Sequence, residues 1–197
     1  MGLKLLCAGD DDFAGILRKF GPPPFWTREP GFPTLIYLIL EQQVSLASAK
    51  AAYLRLLSAA KPLTPRRFLE LDDARLKAIG FSRQKTSYGR LLAESVLTRG
   101  LSIPALARMP DDDARQALTG MKGIGQWTAD VYLLMALRRP DVWPTGDLAL
   151  AVAVQKVKRL RKRPSPEKLE AMSAPWRPWR AVAARLFWHY YLSRKNG

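Results

Sequence analysis

The sequence has little of what metal and disulfide chemistry needs. One cysteine, Cys7, and one histidine, His189, occur in 197 residues. A single cysteine excludes an internal disulfide, a tetrahedral cysteine zinc site and a four-cysteine iron–sulfur cluster. It reads as a small buried apolar side chain in a reducing, cytoplasmic setting. No His/Asp/Glu set has metal-ligand spacing, and no Gly-Lys-Ser/Thr phosphate loop is present. Long hydrophobic runs are missing as well. Residues 35–40 are far too short to span a bilayer, and the apolar stretch before Asp10, Asp11 and Asp12 is too short for a secretory signal. Leu6 stands where a myristoylation pattern wants Ser or Thr. No segment alternates as a strand does. A soluble, all-α protein is expected.

Positive charge is what the chain has in excess. Lys and Arg number 32 against 17 Asp and Glu, a formal net charge of +15. Small domains commonly carry a net charge of about 2–8, so a polyanionic partner is indicated, nucleic acid first. Hydrophobic residues make up 48%, enough for a core, and the length suits one domain or two closely packed subdomains. Apolar spacing is helical almost throughout. Asp10–Asp12 cap a helix that stops at Gly21, and Pro22, Pro23, Pro24, Pro30, Gly31 and Pro33 mark an irregular connector. Pro33 opens a helix to Gln42, and Ser45 caps the next, rich in small residues for close packing. Helices follow over 65–71, 72–79 (stopped by Gly80) and from Ser82 to about 97. Others run from Asp111 to about 118, from about 124 to 137 and from Asp147, and after Pro164 and Pro166 comes a last pair, the final one from about 179 to 194. The run 156–163 is strongly basic, either a DNA-facing surface or a solvated helix face. Segment 1–30 reads as a helix plus connector, and 31–197 as the functional domain.

Residues 118–129 carry a glycine hairpin between two helical patterns. Gly120 is expected to end the first helix in a left-handed conformation. Gly123 and Gly125 let backbone amides approach a ligand without a Cβ in the way. Gly125 precedes the second helix, whose N-terminus offers N–H donors and positive potential to a phosphate. Lys122 adds a full charge at the tip. Beyond the loop at 140–147, Asp147 opens the next helix. An Asp there is a good N-cap; it is also a lone carboxylate downstream of a DNA grip.

The string Gly-Met-Lys-Gly-Ile-Gly-Gln-Trp-Thr-Ala resembles the helix-hairpin-helix of the HhH-GPD superfamily of base-excision DNA glycosylases, with Lys122 where the usual loop has proline. Ile39-Leu-Glu-Gln-Gln-Val-Ser45, Pro144-Thr-Gly-Asp-Leu-Ala-Leu150 and Trp176-Arg-Pro-Trp-Arg180 are similar to motifs of its 3-methyladenine DNA glycosylase II branch, over roughly residues 30–195. The chain is similar to the shorter members, without the additional N-terminal α/β domain. The resemblance implies two helical subdomains flanking an active-site cleft, the central residues forming one and the N- and C-terminal helices the other. Asp147 matches the catalytic aspartate, which stabilises an oxocarbenium-like sugar and orients or activates water. Trp127 occupies the position where bifunctional relatives carry a Schiff-base lysine, which implies a monofunctional enzyme without strand nicking.

The resemblance also supplies the remaining site residues. Trp127 and Trp188 are base-pocket candidates, with Trp143, Tyr132 and Trp179 as weaker ones; cationic alkylpurines favour electron-rich aromatic faces. Val131 stands where a relative has tyrosine. Gln43 matches the intercalating wedge. Lys122, Gly123, Ile124, Gly125, Gln126 and Thr128 match the DNA-binding hairpin. The family's loop binds a monovalent cation (Na+ or K+) through main-chain oxygens, by position those of Thr119, Met121 and Ile124. His189 is read as structural. The implied function is removal of alkylated purines from damaged duplex DNA, chiefly 3-methyladenine, with 7-methylguanine as a further candidate. It is expected of a cytoplasmic, nucleoid-associated, bacterial-type monomer that needs no redox cofactor. Two other readings stay open: a glycosylase for deaminated or oxidised bases, and a non-catalytic helix-hairpin-helix DNA-binding module. Asp147 argues against the latter, because a pure anchor needs no acid there.

Overall fold

The computed structural model describes residues 1–195. Within them the chain is helical and strand-free: α1 (Gly2–Gly9), α2 (Asp11–Phe20), α3 (Phe32–Glu41), α4 (Leu46–Ala59), α5 (Pro65–Leu69), α6 (Asp73–Ile79), α7 (Arg83–Leu97), α8 (Ile103–Leu106), α9 (Asp111–Thr119), α10 (Gln126–Met135), α11 (Leu148–Val157), α12 (Pro166–Ser173), a 3₁₀ turn (Ala174–Trp176) and α13 (Arg180–Lys195). None of these helices is long and apolar enough to cross a membrane. Helix starts follow the polar residues ahead of them. Side chains of Asp10, Ser45, Thr64, Asp72, Ser82, Asp147 and Ser165 each accept from a first-turn N–H, replacing a bond the helix cannot supply to itself.

The chain divides into two compact helical units, one of residues 1–27 and 138–197, the other of residues 28–137. In the first, α13 packs on α11, α2 and α1. Its core is aromatic: Phe13 meets Trp176 and Phe187 edge-on at 5.3 and 5.1 Å between centroids, and Trp143 lies 5.3 Å from Trp176. Lys158 ties this core down. Its Nζ donates to both Asp10 oxygens (2.8 and 2.7 Å) and to Asp12 (3.0 Å) while lying over the Phe13 and Trp176 rings. Replacing Lys158 with methionine is therefore expected to lower stability by about 2 kcal/mol, because two partly buried carboxylates lose their nearest cation; thermal unfolding measures it. His189 holds the end of α2 through Nε2 and the Phe20 carbonyl (3.0 Å), as expected of a structural histidine.

The second unit is built around α3. Eight of its ten residues are buried, so it is apolar nearly all round and is covered by α4, α7 and α10. Arg28 anchors the entry to this unit with a two-pronged bond to Glu41 (2.9 and 2.6 Å). Its guanidinium lies 4.6 Å over Tyr37, which stacks on Tyr53 at 4.3 Å. Two helices lie outside the sequence reading. Helix α1 has no side-chain cap or first-turn acid to announce it, and α8 is only four residues with Pro104 inside. Cys7 is half-buried rather than buried.

Candidate functional site

The first unit presents the carboxylate. Asp147 caps α11, with Oδ1 accepting from the Leu150 N–H (2.7 Å) and from the indole Nε1–H of Trp188 (3.2 Å). One side chain thus starts a helix and presents a half-buried acid in the positive field of that helix's N-terminus. An open depression of about 360 Å³ adjoins it, lined by Asp147, Leu148, Arg163, Pro164 and Leu169 among others. The preceding loop is clamped from α13. Arg180 donates through Nε to Asp141 Oδ1 (3.0 Å), through one terminal nitrogen to Glu170 (2.9 Å) and through the other to the Asp141 carbonyl (2.8 Å). The second Glu170 oxygen accepts from the Thr145 hydroxyl (2.8 Å). Arg180→Met should cost about 2–3 kcal/mol by depriving two partly buried acids of their main cation. Thermal unfolding measures it.

The second unit carries the hairpin. Gly120 ends α9 in an ordinary right-handed conformation, φ −64°, which corrects the expected left-handed stop. The left-handed glycine is Gly123, φ +94°, three residues on. A methyl group there would lie 2.1 Å from Cγ of Tyr88, so the loop backbone rests directly on that ring. Gly125 caps α10, and Lys122, Gly125 and Gln126 are exposed, leaving charge and first-turn amides at the surface. Trp127 is half-buried on the first turn of α10.

Several sequence-assigned roles change in this setting. Thr128 is buried and its hydroxyl accepts from Gln42 Nε2 at 3.0 Å, so its side chain braces the hairpin instead of meeting DNA. Ile124 is buried under the loop. Tyr132 has no exposed surface and its hydroxyl accepts from the Gly31 N–H (3.1 Å); Trp143 sits in the aromatic core. Neither ring has a face open to a base, which corrects their reading as pocket residues. Trp179 packs against Gly2. Trp188 is only 7% exposed, and its indole N–H serves the acid. Gln43, by contrast, is exposed at φ +58° beside exposed Val44 and Leu46. Lys158 leaves the list of free basic groups, while Lys156, Arg159, Arg161, Lys162 and Arg163 remain exposed. The oxygens assigned to a monovalent cation are neutral carbonyls. That of Met121 accepts one bond, from the Ile124 N–H (3.0 Å), and keeps a second lone pair. Such donors suit a weakly charged cation, and no group of His, Cys, Asp and Glu among the described residues could hold a metal ion.

Residues 36–178, spanning both the hairpin and Asp147, match the family described as HhH-GPD superfamily base excision DNA repair protein. The chain belongs to the HhH-GPD superfamily. An alkylbase DNA glycosidase-like protein of Schizosaccharomyces pombe is 25% identical over 98% of this chain and 94% of its own length. A putative DNA-3-methyladenine glycosylase of Bacillus subtilis is 32% identical over 63% of this chain. The match covers 43% of that relative, so the chain spans less than half of its length. The solved structure of S. pombe 3-methyladenine DNA glycosylase in complex with abasic DNA aligns with a TM-score of 0.87 at 26% identity, covering 95% of this chain and 94% of that one. The all-helical HhH-GPD fold expected from the sequence is the one found, and the family is that of the alkylbase DNA glycosylases of base excision repair.

Sequence reasoning missed Gln42, Lys85, Tyr88 and Arg180. Gln42 and Arg180 lie inside motifs quoted for the resemblance, so a position-by-position reading could have raised them. Lys85 and Tyr88 sit on α7 with no local signal; only tertiary packing brings them to the loop and hairpin.

Proposed function

We propose that this chain is a monofunctional DNA glycosylase that hydrolyses the N-glycosidic bond of alkylated purines in duplex DNA, chiefly 3-methyladenine. The observation that carries this reading is the carboxylate of Asp147, fixed by the Leu150 amide and the Trp188 indole, in a chain that also carries the amide-rich hairpin. In the reaction the C1′–N bond breaks and its electron pair leaves with the base. Asp147 stabilises the positive charge that develops on the sugar. Water then adds to C1′ and gives up a proton, leaving an abasic site. Trp127 supplies an aromatic face suited to a cationic purine, and Gln43 fills the gap left by the flipped nucleotide. A monovalent cation held by the Thr119, Met121 and Ile124 carbonyls would add positive charge at the hairpin where a phosphate docks. Single-turnover base release from methylated duplex DNA tests the reading: purified protein that releases no base overturns it, and a lesion panel would expose a preference for deaminated or oxidised bases.

Tryptophan at position 127 offers no amine to attack C1′ where bifunctional relatives carry a lysine. Borohydride should trap no protein–DNA adduct, and released base should outrun strand breaks until alkali is added. We also assign the exposed cations of the basic run to the DNA backbone. Neutralising Lys156, Arg161, Lys162 and Arg163 together should flatten the plot of log binding constant against log salt by about 0.9 for each phosphate left without its cation. An unchanged slope would make the run a solvated face.

A further inference from the structure

Gln43 leaves α3 in an unusual way. The helix ends at Glu41, Gln42 is extended at φ −60°, ψ 124°, and Gln43 turns left-handed at φ +58°. A side chain in that region costs roughly 1 kcal/mol or more, so surrounding structure has to hold it. Two tethers do so. Lys85 Nζ donates to the Leu40 and Gln42 carbonyls, both at 2.8 Å. Gln42 Nε2 donates to the Gly123 carbonyl (2.9 Å) and the Thr128 hydroxyl (3.0 Å) in the hairpin. No carboxylate pairs with Lys85 among the described residues, so its ammonium is satisfied by carbonyls at the negative end of α3. Its partial burial holds its pKa below the usual lysine range. One turn along the same face of α7, Tyr88 supports Gly123 and has its hydroxyl fixed by Gln84 (2.7 Å).

We infer that Lys85 is the positioning residue of the Gln43 loop: shared between the Leu40 and Gln42 carbonyls, it holds the left-handed turn that presents Gln43 and, with Gln42, locks that turn to the hairpin. The inference rests on the proposed function, in which Gln43 fills the gap in the base stack. Removing the Lys85 charge leaves the hairpin and the basic surface in place, so grip on intact DNA is kept while the ability to hold an opened stack is lost.

The test compares wild type, Lys85→Met, Lys85→Arg and Gln43→Ala on intact duplex and on duplex with one abasic site, alongside amide hydrogen exchange of the DNA-free proteins. Lys85→Met should speed exchange at residues 42–45 and cut the preference for abasic over intact duplex about tenfold, a coupling of ordinary size for neighbouring groups. Affinity for intact duplex should stay within about twofold, and Lys85→Arg should recover part of the loss. In a Gln43→Ala background Lys85→Met should remove nothing further. An unchanged abasic preference overturns the inference. So does an equal loss in the Gln43→Ala background, or faster exchange spread over the whole unit, which a merely structural lysine would give. Should Lys85→Met fail to fold, Gln42→Leu cuts the other tether and should show the same selective loss. A wild type that neither releases base nor prefers abasic DNA overturns the proposed function itself, while the exchange difference still decides whether Lys85 holds the loop.

Discussion

Asp147→Asn should slow base release from methylated duplex DNA by about a thousandfold, the upper range for removing a preorganised electrostatic group, with almost no change in folding. The geometry makes this substitution unusually clean. Asparagine caps helices about as well as aspartate, and its carboxamide oxygen can still accept from the Leu150 amide and the Trp188 indole, now 2.7 and 3.2 Å from Oδ1. Shape, cap and these two hydrogen bonds survive while the negative charge goes. A large rate loss at unchanged Tm therefore assigns the charge to the transition state. Asp147→Ala would confuse the two effects, since it also uncaps α11 at about 1 kcal/mol. Equal release by wild type and Asp147→Asn would leave an enzyme whose acid lies elsewhere. Binding without release by either protein would favour the silent DNA-binding module.

How much of this was legible in the sequence follows from the range of the forces involved. Caps are local, and Asp10, Ser45, Asp72, Ser82 and Asp147 were readable as helix starts because a side chain two or three residues away decides them. The hairpin and Asp147 were readable because glycine and acid stand at recognisable spacing. Burial is not local. Tyr132 and Trp143 carry rings that suit a base pocket as well as a core, and only the folded chain shows the first tied to Gly31 and the second enclosed by Trp176 and Phe187. Lys158 is one cation of a basic run by sequence, yet its partners Asp10 and Asp12 stand far back in the chain. Gly120 was the natural helix stop by sequence. The chain instead turns left-handed at Gly123, where Tyr88 also leaves no room for a side chain. In each case the error lies with a partner more than twenty residues distant, which no local pattern reports.

Gly123→Ala should be among the most destabilising single-methyl additions in the second unit. Two penalties act together. At φ +94° the backbone lies outside the region an alanine adopts readily, a cost of about 1–2 kcal/mol. The new Cβ would also stand 2.1, 2.5 and 2.6 Å from Cγ, Cδ2 and Cβ of Tyr88, near the base of the side chain where rotation gives little relief, and overpacking of this kind costs about 1–3 kcal/mol. A total of about 3 kcal/mol corresponds to a Tm drop of about 10 °C for a chain of this size. Tyr88→Ala separates the terms: in that background Gly123→Ala should cost only the backbone share, so a double-mutant cycle yields the steric one. Gly125→Ala is the control for function. Nothing lies within 4 Å of the point where its Cβ would stand, and its φ is −85°, so the change at this cap should cost no more than about 1 kcal/mol. Yet the methyl would stand among the amides offered to a phosphate and weaken DNA binding. Loss of fold at 123 with loss of grip at 125 would assign the two glycines different tasks, one seating the hairpin on Tyr88 and the other opening it to the backbone of DNA. A Gly123→Ala protein that melts with the wild type would show that the close approach to Tyr88 is not required.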